Sequence, residues 1–572
     1  MNSRLDTLVV LVRPEDSLAE TVRRMATERV AFFGLAVVLD DHGRVLGIIN
    51  NGDVLRLLAS GDDFSKPVAS AMVTDPIAVR PRTAPDEIIA DVYRQIRAKR
   101  RLTREGVAYV LVVDEDGRLT GVVNFAELVT RHGNRNESVA VYGLGYVGLT
   151  LAATLANRNH RVTGVDINAT LVDHLNAGRL HVYEPGLDDM VGASLDRGTL
   201  QFACTPVGTH HAVSIIAVGT PVDVAGKADL RALEAVTRTI GTGLRRGDIV
   251  MLRSTVPVGT TREVVGPLLE SLSGLTAGED FHLAFTPERT IEGKAMRELR
   301  ELPQIIGGLT ATCGQRAAAF WSNVCTSVVH MDTLEAAELV KLANNSFRDL
   351  SFAFANGLAM LSDRYNVDAF RLILAANEGY PRNPIPLPSP GVGGYCLTKD
   401  PFLYAGVAAD GTHADLARVG RAANRVAANY PVEVLRRYVA RQNRQLSDLN
   451  VLVVGLAFKG LPETNDLRGS TGIEVARALQ DAGAKVRGWD AIASPDAIAE
   501  HGVSPADLIE AVAEVDAVVI MNNHPQNIPQ GFVNRTRRPV IVFDGWSQLD
   551  AREVEQHPGM TYATMGYMTP VA

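Results

Sequence analysis

The stretch Glu137-Ser-Val-Ala-Val-Tyr-Gly-Leu-Gly-Tyr-Val-Gly148 decides the fold of this chain. Its first six residues form a short apolar run typical of a buried strand, and the glycines that follow have the spacing GxGxxG. A helical pattern over Leu149–Arg158 comes next, and a second strand pattern over residues 160–165 ends at Asp166. A strand, a glycine turn, a helix and a second strand ending in an acid, within about 30 residues, predict a dinucleotide-binding unit.

Each residue type in this unit has its own role in holding a dinucleotide. Gly143 permits the tight turn, Gly145 lets the main chain approach the pyrophosphate, and Gly148 lets the helix pack close to the strand. The start of the helix offers N–H groups and a positive dipole end to the phosphates. Asp166 is expected to hydrogen-bond the adenosine ribose and to repel a 2′-phosphate, so the predicted cofactor is NAD. The alternative is a glycine turn that serves packing alone. The predicted cofactor contacts of this unit are Gly143, Gly145, Tyr146, Val147, Gly148 and Asp166.

The composition excludes several other classes of protein. The 572 residues are 46% apolar and 21% charged, with a net charge of −8, so three or four globular domains are expected. No block of like charges suggests a nucleic-acid tail, and no segment reaches the roughly 20 apolar residues that cross a bilayer. The N-terminal apolar run is too short for a signal peptide. The four cysteines show neither a disulfide framework nor CxxC metal spacing. The chain is predicted to be cytoplasmic, with no nucleic-acid, membrane or metal partner.

An internal repeat occupies the N-terminal segment. Leu35–Asn50 matches Tyr109–Asn124 at a constant offset of 74 residues. Each run consists of two short β-branched stretches joined by an acidic-Gly turn, which predicts a hairpin. Each copy is therefore predicted to have the order β-α-β-β-α. The helical patterns beside the hairpins are Ser17–Glu28, Val54–Ala59, Ala84–Lys99 and Ala126–Val129.

This repeat resembles a pair of CBS domains. Such pairs bind a ribose through Thr/Ser-x-x-Asp, and the matching positions here are Asn50-x-x-Asp53 and Asn124-x-x-Glu127. Asp53 and Glu127 are the predicted contacts of a regulatory adenine or other purine nucleotide, with phosphate contacts from the basic run Arg94–Arg101. Asn replaces the hydroxyl residue in both copies, so the alternative is a dimerisation module without a ligand. The alternative for the basic run is a solvated helix face.

The pattern of strands and helices changes along the rest of the chain. A polar stretch at Arg131–Ser138 predicts a linker. Strands and helices then alternate to about residue 330, helical patterns fill about 331–440, and alternation resumes at Leu449–Gly455 in a unit without the third glycine. The predicted fold class is α/β, with two Rossmann-like domains joined by a helical central domain and an N-terminal α+β CBS pair.

Seven motifs follow one another between the glycine turn and the C-terminal segment. They are EPGL at 184–187, VGTPV at 218–222, RSTVPVG at 253–259, TPERTIEG at 286–293, Lys341-x3-Asn345, GVGGYCLTKDP at 391–401 and GLAFK at 455–459. In this order they resemble the UDP-glucose/GDP-mannose dehydrogenase family over about residues 139–565. The resemblance implies an NAD-dependent nucleotide-sugar dehydrogenase. The predicted domains are the CBS repeats at 1–67 and 68–134, the NAD-binding domain at 135–330, the central dimerisation domain at 331–440 and the UDP-sugar-binding domain at 441–572.

Cys396 lies in a segment that suits a nucleophile. Three glycines within five residues precede it, and such a segment exposes a thiol and lets a substrate approach the main chain. A thiol can add to an aldehyde, release hydride from the thiohemiacetal and leave a thioester, which carries an alcohol to an acid without releasing the aldehyde. The alternative is a small buried residue, as Cys204, Cys313 and Cys325 are expected to be.

Lys341 and Asn345 lie four residues apart on a predicted helix, Leu334–Phe354, so both project from one face. An ammonium group and an amide directed at one point suit a developing alkoxide or oxyanion. The alternative is two residues on a solvated helix face.

The family resemblance assigns further roles. Asp400, with a water held by Thr255, takes the alcohol proton, and Glu288 activates water or assists thioester hydrolysis. Lys341 and Asn345 stabilise the oxyanion. The implied substrate contacts are Glu288, Lys341, Asn345, Arg382 (reaching across a dimer), Gly393 and Lys459. The implied cofactor contacts outside the glycine unit are Thr220, Thr255 and Arg468.

The predicted reaction is the four-electron oxidation of a UDP-sugar C6 alcohol to the uronic acid, with two NAD per sugar, by a homodimer or larger oligomer. The stretch 286–308 looks most like enzymes that act on UDP-N-acetylhexosamines, with UDP-glucose as the alternative substrate. Departures from the family pattern at Gly357 and Tyr395 bear on sugar recognition. Two other functions stay open: a non-catalytic nucleotide sensor, and a two-electron hydroxyacid dehydrogenase that would not need Cys396.

Overall fold

The structure is a computed structural model. It describes residues 5, 8–28, 30, 34–81, 88, 91, 92, 95, 109–125, 137–206, 210–223, 226–382, 384–407, 412–537, 539–551, 554 and 556–570. The chain divides into two compact units, one of Met1–Asn136 with Gln315–His330 and the other of Glu137–Gly314 with Met331–Ala572. Among the described residues, no helix combines the length and hydropathy needed to cross a bilayer.

The secondary structure of the described residues is as follows. The strands are β1 (Val10–Val12), β2 (Leu35–Leu39), β3 (Val45–Asn50), β4 (Ala78–Val79), β5 (Tyr109–Val113), β6 (Leu119–Asn124), β7 (Ser138–Tyr142), β8 (Arg161–Val165), β9 (Leu200–Ala203), β10 (Val213–Ile216), β11 (Ile249–Leu252), β12 (His282–Phe285), β13 (Gln304–Gly308), β14 (Val328–Met331), β15 (Asn450–Val454), β16 (Lys485–Trp489), β17 (Ser504–Pro505), β18 (Ala517–Ile520), β19 (Val540–Asp544), β20 (Met560–Thr564) and β21 (Tyr567–Met568). The α-helices are Leu18–Thr27, Asn51–Ser60, Tyr146–Asn157, Ala169–Asn176, Leu187–Asp196, Arg231–Gly241, Gly266–Ser273, Ala295–Glu301, Ala311–Trp321, Leu334–Asp363, Ala369–Asn377, Tyr395–Gly406, Thr412–Arg441, Thr471–Asp481, Pro495–Glu500, Leu508–Val512 and Phe532–Arg535.

The two hairpins predicted in the first unit are confirmed. β2 pairs antiparallel with β3, β5 pairs antiparallel with β6, and β1 and β4 each add a parallel strand. The turns of the two hairpins exchange equivalent hydrogen bonds: Val45 N–H donates to Gly117 O at 3.0 Å, and Leu119 N–H donates to Gly43 O at 3.1 Å. Because these residues are related by the sequence offset, the repeats form a pseudo-twofold pair.

Helix ends in the first unit follow capping residues. Ser17 caps the helix Leu18–Thr27 by accepting from Glu20 N–H, which agrees with the predicted Ser17–Glu28. The second helix begins at Asn51 rather than at the predicted Val54, because Asn50 and Asp53 form a capping box that starts it earlier. Glu127, the linker residues 131–136, all of the basic run except Gln95, and most of the predicted helices at 84–99 and 126–129 lie outside the described residues.

The first sheet of the second unit includes, in order, β13, β12, β11, β10, β7, β8 and β9. All of these pairs are parallel except β12 with β13. The strands β7, β10 and β11 are almost fully buried apolar runs, as expected where helices cover both faces of a parallel sheet. The helix after the glycine turn begins at Tyr146, earlier than the predicted Leu149, because Gly145 is its N-cap.

The second sheet repeats this plan with the order β17, β16, β15, β18, β19, β20 and β21. Gly455 turns the chain after β15 with φ +80°, as Gly143 does after β7 with φ +88°. The missing third glycine has a structural counterpart far along the chain. A Cβ on Gly472 would lie 3.0 Å from Gly455 O, and a Cβ on Gly148 would lie 1.8 Å from Gly143 O, so both glycines let a helix pack on the turn. Residues 457–470 form a loop inserted between this turn and its helix.

The central segment is built on two long helices, Leu334–Asp363 and Thr412–Arg441. The first continues beyond the predicted end at Phe354. Buried polar residues connect the two helices, with Arg421 Nη1 2.7 Å from Asp349 Oδ1. Arg421 also donates to Val392 O at 3.4 Å, so the same guanidinium supports the glycine-rich segment before Cys396.

Candidate active site

The glycine turn has the geometry that a dinucleotide requires. Gly143 has a positive φ, the Cβ position of Gly145 is open, and Gly148 lies directly against Gly143 O. Asp166 follows β8, and its carboxylate accepts the N–H of Leu144 at 2.9 Å and that of Asn168 at 3.0 Å. These bonds fix the acid beside the turn, where a ribose hydroxyl could share it.

Glu184 ties the start of this helix to the TPERTIEG segment. Its carboxylate accepts from the hydroxyl of Tyr146 and, at 2.7 Å, from Gly293 N–H. Burial and the neighbouring Glu184 raise the pKa of Tyr146 far above its usual range. Glu184 is the acid of the EPGL motif, but its pairing with Tyr146 joins residues far apart in the chain and is visible only in the fold.

A cavity of about 310 Å³ opens beside the glycine turn. Arg468, on the inserted loop, lines it and is held by Asp466 through Nε at 2.9 Å and Nη2 at 2.6 Å. Burial and the charge of Asp466 raise the pKa of Glu292 on the same wall. The structure therefore brings Arg468 to the same cavity as Gly145. Its lining includes Gly145, Tyr146, His181, Glu292, Asp466 and Arg468.

Cys396 lies in the first turn of the helix Tyr395–Gly406, and its side chain reaches solvent. Protein atoms nevertheless surround the thiol densely. The resulting desolvation raises the pKa of Cys396, the carboxylate of Asp400 adds to the rise, and the ammonium groups of Lys341 and Lys399 oppose it. The thiol is thus accessible, and its ionisation is governed by nearby charges.

Asp400 is fully buried one turn after Cys396. Its Oδ2 accepts from Asn345 Nδ2 at 2.6 Å, and its Oδ1 is 2.7 Å from Lys399 Nζ. The structure therefore joins two of the predicted residues, Asp400 and Asn345, and adds Lys399 to them. Lys399 stands within the GVGGYCLTKDP motif, but the sequence does not show that it pairs with its immediate neighbour.

Glu288 and Lys341 are both buried near this cluster. Arg253 pairs with Glu288, with Nε 2.9 Å from Oε2, and Thr290 N–H donates to Oε1 at 2.5 Å. Burial alone would raise the pKa of Glu288, but Arg253, Thr290 and Lys341 outweigh it and lower that pKa. In this arrangement the charged Glu288 holds Arg253 in place. Arg253 begins the RSTVPVG motif, but the motif alone assigned it no role.

The predicted residues Thr220, Thr255, Gly393 and Arg382 all lie in loops. Thr220 Oγ1 donates to Thr255 O at 2.5 Å, which fixes these two loops together. Gly393 packs against the inserted loop, because a Cβ there would lie 2.7 Å from Gly469 O. Arg382 is exposed and contacts the ring of Tyr380 instead of the cluster around Cys396.

Lys459 lies in the inserted loop and donates to Glu292 O at 2.7 Å and to Pro462 O at 2.5 Å. Burial lowers its pKa to about 8, while the charges of Glu292 and Glu184 oppose the change. Both acceptors are uncharged main-chain carbonyls.

The other three cysteines differ in their exposure to solvent. Cys313 and Cys325 are buried as expected, but Cys204 is exposed because it lies just beyond the end of β9. Among the described residues, no group of three or more His, Cys, Asp or Glu is arranged to hold a metal ion.

Asp53 of the first unit is engaged within its own helix. Its Oδ2 accepts Asn50 N–H at 2.9 Å to complete the capping box, and Arg56 binds Oδ1. Asp53, which the sequence predicts to bind a ribose, thus caps its own helix in this structure.

The glycine turn with its terminal acid, the exposed Cys396 and the buried cluster of Asp400, Asn345 and Lys399 are together the features of a dinucleotide-dependent dehydrogenase. The chain belongs to the UDP-glucose/GDP-mannose dehydrogenase family, as expected from its motifs. The family's NAD binding domain matches residues 137–325, its central domain 335–426 and its UDP binding domain 452–551. CBS domains match residues 7–60 and 68–132. The predicted fold class, NAD as cofactor and the enzyme class are confirmed.

Several relatives support this assignment. The chain is 36% identical over 358 residues to a UDP-N-acetyl-D-mannosamine dehydrogenase of Yersinia pestis, covering 60% of this chain and 83% of that one. It is 38% identical over 348 residues to an NDP-N-acetyl-D-galactosaminuronic acid dehydrogenase of Ralstonia solanacearum, covering 60% and 80%. The solved UDP-D-ManNAc dehydrogenase of Pyrococcus horikoshii aligns with a TM-score of 0.67 at 30% identity, covering 75% of this chain and 99% of that chain.

Proposed function

We propose that this chain oxidises the C6 alcohol of a UDP-sugar to a carboxylate through a thioester on Cys396, using two NAD per sugar. The observation that carries the proposal is the accessible thiol of Cys396, one helical turn from a buried carboxylate that Asn345 and Lys399 hold in place. A two-electron dehydrogenase has no use for such a thiol.

The reaction balances in four steps. The alcohol loses a hydride and a proton and becomes an aldehyde. The Cys396 sulfur adds to the aldehyde carbon, and the oxygen takes a proton, which gives a thiohemiacetal. A second hydride and proton leave to form the thioester. Water then cleaves the C–S bond, which releases the acid and restores the thiol. NAD, when bound, supplies the hydride acceptor for both oxidations.

The polar groups around Cys396 match these steps. Asp400 takes the alcohol proton, by way of a water held with Thr255. Lys341 and Asn345 supply positive charge and an N–H donor to the oxygen that becomes negative when the thiol or water adds. Glu288 activates the water or assists thioester hydrolysis, and its ion pair with Arg253 holds its carboxylate in place. Its negative charge close to Lys341 keeps that ammonium group oriented.

The nucleotide end is assigned to the inserted loop and the glycine turn. Arg468 binds the cofactor pyrophosphate, because its guanidinium lines the cavity that Gly145 also lines. Lys459 binds the phosphates of the UDP-sugar, and Gly393 lets the substrate approach the main chain. We accordingly keep 135–330 as the NAD-binding domain, 331–440 as the central dimerisation domain and 441–572 as the UDP-sugar-binding domain.

The sugar is proposed to be an N-acetylhexosamine, with UDP-glucose as the alternative. The relatives named above act on N-acetylated sugars by their names. A solved UDP-glucose dehydrogenase of Pyrobaculum islandicum, at 32% identity and a TM-score of 0.65, is about as similar as the solved UDP-D-ManNAc dehydrogenase, at 30% and 0.67. A panel of UDP-sugars decides between them.

A dimer is proposed from an exposed apolar face on the central helices. Phe347, Phe354 and Leu361 are exposed by 74%, 62% and 51%, and they recur every seven residues along one side of a helix. Leu416, Val419 and Val426 are similarly exposed on the helix Thr412–Arg441. Rows of large apolar side chains at helical spacing mark association surfaces. In such a dimer Arg382 would reach the partner's substrate.

The CBS pair is proposed to bind an adenine or other purine nucleotide that changes activity. Its support is the fold and the acid Asp53. A ribose must displace Arg56 from that acid, and a purely structural module is the alternative.

The decisive measurement is the number of NADH formed per UDP-sugar consumed by the full-length chain, followed by absorbance. We expect two NADH and a uronic acid. Cys396→Ser should lose acid formation by several orders of magnitude, because an alkoxide is a poorer leaving group than a thiolate. Cys204→Ser, at another exposed cysteine, is the matched control and should retain full activity. One NADH per sugar would indicate a two-electron dehydrogenase, and no NADH with any UDP-sugar would indicate a sensor.

A further inference from the structure

Tyr395 stands between the catalytic cysteine and the cofactor cavity. It is the first residue of the helix that carries Cys396. The centroid of its ring lies 5.6 Å from Lys399 Nζ and 5.5 Å from Arg468 Cζ, with both cations over the ring. One cation pairs with Asp400, and the other lines the cavity beside the glycine turn. A single aromatic ring therefore contacts both groups.

The main chain makes a second connection at the same place. Gly394 N–H donates to Gly469 O at 3.0 Å, directly beside Arg468. Gly393 leaves no room for a Cβ against Gly469 O, and a Cβ on Gly394 would lie 2.8 Å from the ring of Phe458. The start of the Cys396 helix is thus seated on both ends of the inserted loop. A change in that loop reaches the thiol without passing through the sheet.

Arg468 has two alternative anionic partners. In this structure Asp466 holds the guanidinium through hydrogen bonds from its Nε and Nη2. A pyrophosphate in the cavity would compete with that carboxylate for the same N–H groups, since Arg binds carboxylate and phosphate with the same fork geometry. Because the Tyr395 ring lies against this guanidinium, the exchange changes the surface on which the ring rests.

We propose that Tyr395 is a positioning residue that couples occupancy of the cofactor pyrophosphate site to the placement of Cys396. The inference rests on the proposed function only in that Arg468 contacts the pyrophosphate. The ring, rather than the hydroxyl, makes the connection, because both cations lie over the ring. Cofactor binding then holds the first turn of the helix in one position before the thiol reacts.

The test measures the alkylation rate of Cys396 in the full-length chain with and without saturating ADP. ADP supplies the adenosine and phosphate groups but no nicotinamide, so it does not cover the thiol in the manner of the reacting cofactor. Iodoacetamide labelling is quantified on the Cys396 peptide by mass spectrometry, which separates it from the exposed Cys204. Tyr395→Leu removes the ring at similar bulk, and Tyr395→Phe keeps it. Tyr404→Phe, on the same helix, is the matched control. Calorimetry gives the ADP affinity of every variant, and the binding that is lost in Asp166→Ala is assigned to the cofactor site rather than to the CBS pair.

We expect ADP to slow Cys396 labelling at least threefold in the wild type, in Tyr395→Phe and in Tyr404→Phe, and to have no effect in Tyr395→Leu at saturation. An undiminished ADP effect in Tyr395→Leu would overturn the role of the ring. An unaffected labelling rate in wild type that binds ADP would overturn the coupling and leave the cofactor site standing. A wild type that binds no ADP would overturn the proposed cofactor site and this inference together. Loss of the effect in Tyr395→Phe would refute the assignment to the ring even if Tyr395→Leu failed to fold.

Discussion

Replacing Asp400 by Asn changes one charge in the buried cluster and should separate proton transfer from thiol ionisation. Asp400 is fully buried and binds Lys399 at 2.7 Å and Asn345 at 2.6 Å. The variant keeps the size of the side chain but leaves the buried Lys399 ammonium without its counter-ion. Turnover should fall by about 10²–10⁴-fold, the usual loss when a positioned base is removed.

The same substitution should make Cys396 more reactive. In the wild type the charge of Asp400 raises the pKa of Cys396 and so disfavours the thiolate, whereas the charge of Lys399 lowers that pKa. A unit charge about 6 Å away, the separation of residues four apart on a helix, interacts by roughly 3 kcal/mol at an effective dielectric constant of 20. Solvent at the exposed thiol reduces this to about 1–2 kcal/mol. At a fixed pH below the transition, the variant should then be alkylated about tenfold faster.

Two measurements on one protein check this reasoning: NADH formation with the UDP-sugar, and the iodoacetamide rate at Cys396 as a function of pH. Breaking a buried ion pair costs about 3–5 kcal/mol of stability, so thermal unfolding is recorded as well. The double variant Lys399→Met/Asp400→Asn leaves no unpaired charge and should recover stability without recovering turnover. A single variant that kept more than a tenth of wild-type turnover, or whose thiol reacted no faster, would refute the assignment of Asp400.

The other predictions concern binding and assembly. Lys459, whose pKa is lowered to about 8, is charged below that pH, so kcat/KM for the UDP-sugar should fall as pH rises through about 8, and Lys459→Met should abolish this dependence. Asp166→Ala should raise KM for NAD by roughly 10–100-fold, the value of hydrogen bonds to a charged group, and should narrow the preference over NADP; a wild type that used both cofactors equally would contradict the role of Asp166. Arg56→Ala removes the partner of Asp53 Oδ1 and should raise the affinity for an adenine nucleotide several-fold in calorimetry. The same affinity in the variant and the wild type would favour a purely structural CBS pair. Phe354→Asp should give a monomer in sedimentation and lose activity, because Arg382 would no longer have a partner's substrate to reach; an active monomer would contradict the shared site.

Local sequence patterns were sufficient for the parts of the fold that depend on neighbouring residues. The glycine turn after β7 and both hairpins of the first unit follow from the spacing of glycines and apolar residues within short windows. The helix containing Lys341 and Asn345 was also predicted, but its end was not, because it continues through Asn356 and Gly357 to Asp363. Asn356 Nδ2 donates to Asn424 Oδ1 on the helix Thr412–Arg441 at 2.9 Å, a contact between distant residues that the local sequence does not show.

Interactions between distant residues could not be predicted in the same way. The Arg253–Glu288 pair, the bond from Tyr146 to Glu184 and the contact of Arg468 with Tyr395 each join segments that only the fold brings together. Sequence motifs named most of these residues without their partners. The exposure of Cys204 was missed for the same reason, since a strand end faces solvent or core according to what packs on it.

The inserted loop at 457–470 gives the two Rossmann-like halves different tasks, because it extends from the second half to the first. In the first half the helix starts at the glycine turn, so its N–H groups face the phosphate site. In the second half the helix Thr471–Asp481, capped by Ser470, also starts against the turn, since Ser470 Oγ donates to Leu456 O at 2.5 Å. The loop between them carries Lys459 and Arg468 across to the neighbouring half. Shortening this loop to the GxGxxG spacing would give the second half a glycine turn and helix start like those of the first, and so a second candidate anion site. It would also remove Arg468 from the cavity beside the glycine turn of the first half. Grafting this loop onto another pair of Rossmann-like domains is therefore a way to make one of them contribute residues to the ligand site of the other.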